Sequence, residues 1–155
     1  MSGRIDINLL LETVLEGIQR GIGMDRTIFA LLTKDRTMLR EKVSLGWRKT
    51  SYTRVISLAL IKNPINLFCE AMSHTEGYWL KPGQDDALYS YADIETVGKH
   101  PCFLMSICSG DKPIGLIYCD RAYKNQVLTE EEFRSFKHFV KQANIGLSLY
   151  RLQDR

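Results

Sequence analysis

The sequence predicts an α+β domain in which an antiparallel β-sheet is covered on both of its faces. The first observation is a pair of apolar runs, residues 103–108 and 114–119, on either side of a loop that contains Gly110 and Pro113, a pattern typical of a β-hairpin. The second is that both sides of each run are apolar, whereas a strand with one solvated face alternates apolar and polar residues. The third is that the helical patterns near both chain ends are too apolar for one buried stripe. We therefore expect a layer of structure on each face of the sheet.

Length and composition indicate one globular domain, which we place at residues 5–153. The 155 residues are 45% hydrophobic and 25% charged, which is ordinary for a folded domain and argues against disorder. The net charge of +3 comes from scattered basic residues, so no basic stripe points to nucleic acid. No apolar run approaches the roughly 20 residues that span a bilayer, and the N-terminus lacks the pattern of a secretion signal. We expect a cytoplasmic protein with no nucleic-acid or membrane partner.

The N-terminal pattern predicts a helix that begins after Asp6 and ends at Gly21 and Gly23. Its apolar residues recur at spacings of four, three and four, at Leu11, Leu15, Ile18 and Ile22. Two strands, 27–32 and 38–45, then flank a polar turn and form a second hairpin. A third strand is predicted near 55–60. Asn63 and Pro64 predict the start of a short helix that runs to about residue 72.

Residues 73–99 predict a long irregular segment that carries several aromatic side chains, and a loop of this length in a small domain is usually functional. After the 103–119 hairpin, Thr129 and Glu132 form a capping box. The closing helix is expected to run to about residue 152. Its seam residues follow spacings of three and four, as in packed helices, at Phe133, Phe136, Val140, Ala143, Leu147 and Tyr150.

The order of elements, with the segments FALLTKDRTML, FLMSICSGDKPIGLIYCDR and LTEEEFRSFKHFVKQA, resembles the GAF domain family of small-molecule sensor modules. The resemblance covers residues 9 to 150, and KPIGLIYCDR also looks like GAF modules attached to bacterial HDOD signalling domains. It implies a PAS-like three-layer α/β/α sandwich with a central antiparallel sheet of five or six strands. It also implies a ligand pocket on the sheet face opposite the terminal helices, which often pair in a dimer.

GAF modules that bind cyclic nucleotides carry a motif of the type Asn-Lys-x-Phe-Asp-Glu. The matching residues here are Asp120, Arg121, Leu128, Glu131 and Glu132. Because aspartate, arginine and leucine replace the family's asparagine, lysine and phenylalanine, the resemblance argues against a cyclic nucleotide. It still implies a salt bridge from Arg121 to Glu131.

Two groups of candidate site residues follow. For ligand binding we name Phe29, Phe68, Cys69, Tyr78, Trp79, Cys108 and Tyr118, because ligand pockets combine apolar walls with a few polar groups. For a homodimer interface we name Leu11, Leu15, Ile18, Phe136, Val140, Ala143, Leu147 and Tyr150. An alternative interpretation is that the aromatic residues fill an ordinary core. The four cysteines form no CxxC pair, so we expect neither a metal site nor a cofactor.

The predicted function is that of a regulatory, non-enzymatic sensor domain. It would bind a small organic ligand and pass a signal through its terminal helices to an effector domain, fused or separate. One alternative is a structural dimerisation module with a filled pocket. Another is an enzyme similar to the GAF-type free methionine sulfoxide reductases, although Cys69 and Cys102 do not match the motif of those enzymes.

Overall fold

The computed structural model of the protein describes residues 6–48, 55–57, 67–81, 97–98, 100–124 and 126–153. Helix α1 continues directly into a π-helical segment, and a short and a long helix follow later in the chain. In order the elements are α1 (Ile7–Glu16), the π-helical segment (Gly17–Ile22), β1 (Arg26–Leu32), β2 (Met38–Leu45), β3 (Val55–Ser57), α2 (Leu67–Met72), β4 (Tyr78–Leu80), β5 (Cys102–Ser109), β6 (Lys112–Asp120) and α3 (Glu130–Gln153).

The six strands form one antiparallel sheet in the order β3-β2-β1-β6-β5-β4. The predicted hairpin of residues 103–119 supplies β5 and β6, and β1 pairs with β6 on its other side. Ile28 and Leu104 both lie opposite Tyr118 in the register, so these three side chains share one face of the sheet. The predicted α/β/α sandwich with an antiparallel sheet of five or six strands is confirmed, and the sheet has six.

Both sheet faces carry a buried apolar cluster, as the two-sided strands predicted. The face covered by α1, the π-helical segment and α3, here called the helix-pair face, buries Phe29, Phe103, Met105, Ile117 and Cys119. The opposite face, here called the α2 face, buries Ile28, Ala30, Leu104, Leu116 and Tyr118 beneath the α2 residues Leu67, Phe68 and Ala71. The sheet is therefore a middle layer with a separate core on each side.

Local capping residues define the helix starts. The Asp6 carboxylate accepts hydrogen bonds from the backbone N–H groups of Asn8 at 3.1 Å and Leu9 at 3.2 Å, which makes it the N-cap of α1. At the start of α3, the Thr129 hydroxyl accepts from the Glu132 N–H at 3.2 Å, and the Glu132 carboxylate accepts from the Thr129 N–H at 2.9 Å. This is the predicted capping box.

Helices α1 and α3 pack closely because glycines leave room for large side chains at two points. Phe139 of α3 lies against Gly17 and Gly21, and Leu10 of α1 lies against Gly146. Since Leu10 precedes Gly17 whereas Gly146 follows Phe139, the two helices run antiparallel. On the edge of the sheet, the Asn144 side chain of α3 accepts a hydrogen bond from the Cys108 backbone N–H at 3.0 Å, so α3 also contacts β5 directly.

Some predicted boundaries differ from the structure. The segment 73–99 was expected to be irregular, but β4 pairs with β5 across Trp79 and Phe103. Three residues are too few for a period-two pattern to be visible in the sequence. The predicted third strand is observed at Val55–Ser57, and the short helix at Leu67–Met72. The remainder of those two predictions, like residues 82–96 of the long segment, lies outside the described residues.

The residues named for a dimer interface are core residues of the single chain. Seven of them have exposed fractions between 0% and 9%, namely Leu11, Leu15, Ile18, Phe136, Val140, Ala143 and Leu147. Their assignment to an interface is wrong, because their side chains are already covered by the sheet and by the other helix. The side chain of Tyr150 lies outside the described part of the chain.

In the described part of the chain, no helix combines the length and apolar character needed to cross a bilayer.

Candidate functional site

A buried ion pair lies on the α2 face where β1 begins and β6 ends. Arg26 and Asp120 are directly opposite in the antiparallel register. The Arg26 Nε donates to both carboxylate oxygens of Asp120 at 3.0 and 3.2 Å, and Nη2 donates to Oδ2 at 2.5 Å. Nη2 also donates to the Val97 carbonyl at 2.5 Å. The Asp120 side chain is 0% exposed and that of Arg26 is 11% exposed, so both charges are largely removed from water.

Tyr118 completes the polar cluster. Its fully buried hydroxyl donates a hydrogen bond to Asp120, and the Ala122 backbone N–H donates to the other carboxylate oxygen at 3.0 Å. Burial, together with the nearby Asp120 charge, raises the pKa of Tyr118 well above its ordinary value, so the phenol stays protonated. Burial alone would lower the pKa of Arg26, but the hydrogen bond and negative charge of Asp120 outweigh it and raise that pKa. Arg26 is therefore a permanent cation.

Aromatic rings enclose the cluster. The Arg26 guanidinium carbon lies 4.0 Å from the centre of the Trp47 ring and 5.9 Å from that of Tyr123, distances typical of cation–π contacts. The Tyr118 ring centre lies 6.5 Å from Trp47 and 6.1 Å from Phe68 of α2. The site thus combines one satisfied charge pair, one phenol hydroxyl and a wall of aromatic side chains.

The chemistry available to this cluster is binding and positioning. The Asp120 carboxylate is already occupied by a guanidinium, a phenol and a backbone N–H, which leaves it a poor general base. The phenol already donates its single proton to Asp120, and the guanidinium donates to Asp120 and the Val97 carbonyl, so these donors hold the cluster in place. A metal centre has no support in the described ranges, where no group of three histidine, cysteine or acidic residues lies close enough to hold an ion.

Four of the seven predicted ligand-binding residues lie together on or beside the α2 face. Phe68 and Tyr118 are buried members of its core, Tyr78 packs against that core, and Cys69 is a half-buried residue of α2. The ring of Tyr78 lies 5.0 Å from that of His74, next to α2. Whether these residues touch a ligand remains a prediction.

The structure separates the remaining three from this group. Phe29 and Trp79 pack on the helix-pair face, where the Trp79 ring lies 5.4 Å from Phe103 and 5.7 Å from Phe133. Placing these two in one pocket with Tyr118 is wrong, because neighbouring positions of a strand point to opposite faces. Cys108 is half-buried near the hairpin end of β5, with its sulfur 3.8 Å from the Ser106 hydroxyl.

Sequence reasoning did not select Arg26 or Trp47 as site residues and considered Asp120 only as a motif position. A charged residue at the end of an apolar strand usually marks the point where the strand meets solvent, and the pairing of Arg26 with Asp120 depends on the strand register. Trp47 lies in a turn-rich stretch, and its ring is fixed by a hydrogen bond from its indole N–H to the Thr27 carbonyl at 3.1 Å. The signal available in the sequence for this site was Arg26 itself, a single arginine at the start of the largely apolar strand β1.

A second ion pair lies on the other side of the β6 end. Arg121 pairs with Glu132, not with Glu131 as predicted. The capping box explains the difference, because it turns the Glu132 carboxylate back toward the start of α3. Burial by itself raises the pKa of Glu132, but hydrogen bonds from Arg121 and Thr129 outweigh that effect and lower the pKa.

Comparison with known proteins places this fold. No protein-family model and no curated protein sequence matches the chain. Among solved structures, a methyl-accepting chemotaxis protein is similar with a TM-score of 0.77 and 19% identity, over 96% of this chain and 92% of that chain. The GAF-B domain of DevS from Mycobacterium smegmatis is similar with a TM-score of 0.72 and 16% identity, over 97% and 98% of the two chains. The GAF domain/HD domain protein from Geobacter sulfurreducens has a TM-score of 0.71 and 15% identity, over 95% of each chain. This likeness shows that the protein has the fold of a GAF domain.

Proposed function

We propose that this chain is a cytoplasmic, non-enzymatic sensor domain that binds a small organic ligand on the α2 face. The observation that carries the proposal is the buried cluster of Arg26, Asp120 and Tyr118 on the face opposite the terminal helices. The similar structures include a chemotaxis protein and a far-red cyanobacteriochrome photoreceptor, which supports a sensory role. The signal would pass through α1 and α3 to an effector domain, fused or separate.

The physical argument rests on the cost of burying charge. Removing an arginine and an aspartate from water costs several kcal/mol for each ion, and well-packed apolar residues of similar volume are often at least as stabilising. The cluster borders the apolar core of the α2 face, where apolar residues would pack without this cost, and this favours a functional role for the buried charges. Buried polar networks are frequent at binding sites because they place donors and acceptors rigidly.

Ligand class follows from the walls of the site. Trp47 and Phe68 present aromatic rings beside Tyr118, while α2 and the strands add aliphatic side chains. Such walls favour a ligand with a flat, largely apolar ring system. Binding would shift the population between two arrangements of the terminal helices, in proportion to the difference in ligand affinity between them.

A thermal-shift screen followed by calorimetry tests the proposal. The panel contains purine nucleotides, aromatic amino acids, flavins and other heterocyclic metabolites. A hit should stabilise the wild-type chain and bind Trp47→Leu or Phe68→Leu at least about tenfold more weakly, because each substitution removes an aromatic contact. Trp79→Phe, which changes an aromatic residue on the helix-pair face, should bind normally. If no compound stabilises the wild type, the ligand-binding part of the proposal is wrong.

A second candidate function is homodimerisation, which the outer surface of the helix pair favours. Leu9, Ile145 and Leu149 are exposed by 61%, 63% and 48%. They lie at the same end of the helix pair, since Leu10 packs against Gly146. Exposed apolar patches on small domains often bind a second chain, and here we propose a second copy of this one.

Sedimentation velocity tests the dimer. The wild type should sediment as a dimer, and Ile145→Glu with Leu149→Glu should sediment as a monomer. The control is Val127→Glu, which changes a residue that is 83% exposed outside the helices and should leave the dimer intact. A wild type that is monomeric at about 100 μM, well above typical dimer affinities, would reject this candidate.

A further inference from the structure

Asp120, the last residue of β6, and Arg121, which follows it, place their side chains on opposite sides of the sheet. The Asp120 carboxylate holds Arg26 and Tyr118 on the α2 face. The Arg121 side chain extends to the helix-pair side, where it is 10% exposed. Successive side chains of an extended chain point in opposite directions. One peptide unit therefore joins the polar cluster of the candidate site to the terminal helices.

Arg121 contacts the ends of both terminal helices at once. Its Nη2 donates to the Ile22 carbonyl at 2.8 Å, and Nε donates to the Gly23 carbonyl at 3.0 Å. These are carbonyls at the end of the π-helical segment, which lack partners inside the helix. Nη1 donates to the Val127 carbonyl at 3.1 Å and to the Glu132 carboxylate at 3.1 Å. Arg121 thus fixes the end of the first helix beside the first turn of α3.

The chain that leads from the π-helical segment into β1 is attached to the same two residues. Arg121 binds the carbonyls of residues 22 and 23. The Asp25 N–H donates to the Asp120 carbonyl at 2.8 Å, and the Arg26 side chain pairs with the Asp120 carboxylate. The Asp25 carboxylate in turn accepts from the backbone N–H groups of Tyr123 and Lys124 at 2.9 and 2.8 Å. Because nearly consecutive residues make these contacts, a short and continuously bonded segment connects the candidate site to the helix ends.

We propose that residues 22–26 and 120–121 form a coupling junction, through which the state of the ion pair between Arg26 and Asp120 controls how firmly the ends of the terminal helices are held. A ligand that displaced or strengthened that pair would shift residues 22–26 against Asp120 and Arg121. The contacts of Arg121 with the π-helical segment and with Glu132 would then change together. As a step in signalling, the junction rests on the proposed sensor function, but the coupling is a property of the ligand-free chain.

Hydrogen–deuterium exchange of the ligand-free protein tests the junction. Arg26→Lys keeps the positive charge but loses the fork that binds both Asp120 oxygens and the Val97 carbonyl. This substitution should raise the amide exchange rates of residues 18–24 and 131–136 by roughly threefold or more, as expected for energetically coupled neighbours. The exchange rates of residues 142–148 should not change. The control is Arg36→Lys, which changes an exposed arginine that donates to the Pro113 carbonyl and should leave both helix ends unchanged.

Repeating the Arg26→Lys substitution in a protein that already carries Arg121→Lys tests whether the two residues act through the same contacts. In Arg121→Lys, the helix ends should already exchange faster, and adding Arg26→Lys should produce no further rise at residues 131–136. Faster exchange confined to β1 and β6 would overturn the proposal, and so would an even rise over the whole of α3, which indicates general loss of stability. Additive effects of the two substitutions would also overturn it. A ligand screen that finds no compound would reject the ligand-binding part of the proposed function without altering any of these outcomes.

Discussion

The ring of Phe139 packs directly against the backbone of Gly17. A methyl group on Gly17 would overlap the ring, whereas one on Gly21 would lie 3.4 Å from the Phe139 Cζ atom, which is ordinary contact. The first of these glycines therefore sets how closely the long closing helix approaches the N-terminal one, and the second does not. Because the helix pair packs on one face of the sheet, this contact influences the core of the helix-pair face.

Gly17→Ala should lower the free energy of unfolding by about 1 to 3 kcal/mol, which is the usual cost of overpacking a filled contact. Gly21→Ala is the matched control. It should be neutral or stabilising by up to about 1 kcal/mol, because alanine is the better helix former. Urea denaturation followed by circular dichroism measures both. Equal effects of the two substitutions would show that the helix pair does not pack as described.

Arg26→Met should cost about 3 to 5 kcal/mol of unfolding free energy, since it leaves the Asp120 charge buried without its partner. Adding Asp120→Leu should recover part of this loss, because the unpaired charge is then removed as well. Urea denaturation of the two single variants and the double variant gives the interaction energy directly. A double variant whose loss equals the sum of the single losses would mean that the two side chains do not interact.

Glu132→Gln should lower stability at neutral pH by about 1 to 2 kcal/mol, as expected for loss of charge-assisted hydrogen bonds. The pKa of Glu132 is lower in the folded chain than its ordinary value of 4.5. The pair with Arg121 therefore stabilises the fold fully above that value, and the stabilisation disappears as the pH falls through the folded-state pKa. The difference between wild type and variant should shrink over that interval in thermal melts.

The control for this pH series is Glu130→Gln, which removes an exposed carboxylate from the same turn and leaves the pair with Arg121 intact. Its difference from the wild type should stay small at neutral pH. A Glu132→Gln variant that is as stable as the wild type at pH 7 would show that the ion pair contributes nothing to folding.

Alkylation with iodoacetamide should distinguish the cysteines. Cys102 and Cys119 are 1% and 0% exposed, and burial raises the pKa of Cys119 well above its ordinary value, so little reactive thiolate forms there. In the native protein at pH 8 both should react at least about a hundredfold more slowly than in urea. Half-buried Cys69 and Cys108 should react faster. Rapid native labelling of Cys102 would instead favour the sulfoxide reductase alternative.

Much of the fold was predictable because its central strands are apolar on both sides. Met105 and Leu104 are neighbours in β5, and both are buried, one in each core. This is the property from which two covering layers were inferred. The continuation of α1 into a π-helical segment was not predicted, because apolar spacings of three and four indicate a helix without distinguishing a π-helical turn from an α-helical one.

The candidate site was less predictable, since its key contacts depend on strand register and side-chain direction. Trp79 was named as a ligand-binding residue, but β4 turns its side chain toward Phe103 and Phe133 on the helix-pair face. Arg26 and Asp120 are 94 residues apart in the sequence, and only the pairing of β1 with β6 brings them together. Apolar periodicity predicts which residues are buried, whereas it does not tell which buried charges meet.

The hydrogen bond from the Cys108 backbone N–H to the Asn144 side chain lies on the side of β5 that β4 does not reach. β4 pairs with β5 only as far as Leu104, so in the described residues the later part of β5 has β6 on one side and no strand on the other. An unpaired N–H there is a template for an extended segment of another molecule, and the Asn144 amide occupies it at 3.0 Å. The Asn144 side chain, which links α3 to β5, therefore occupies a backbone donor that would otherwise be open to pairing with an extended segment of another molecule.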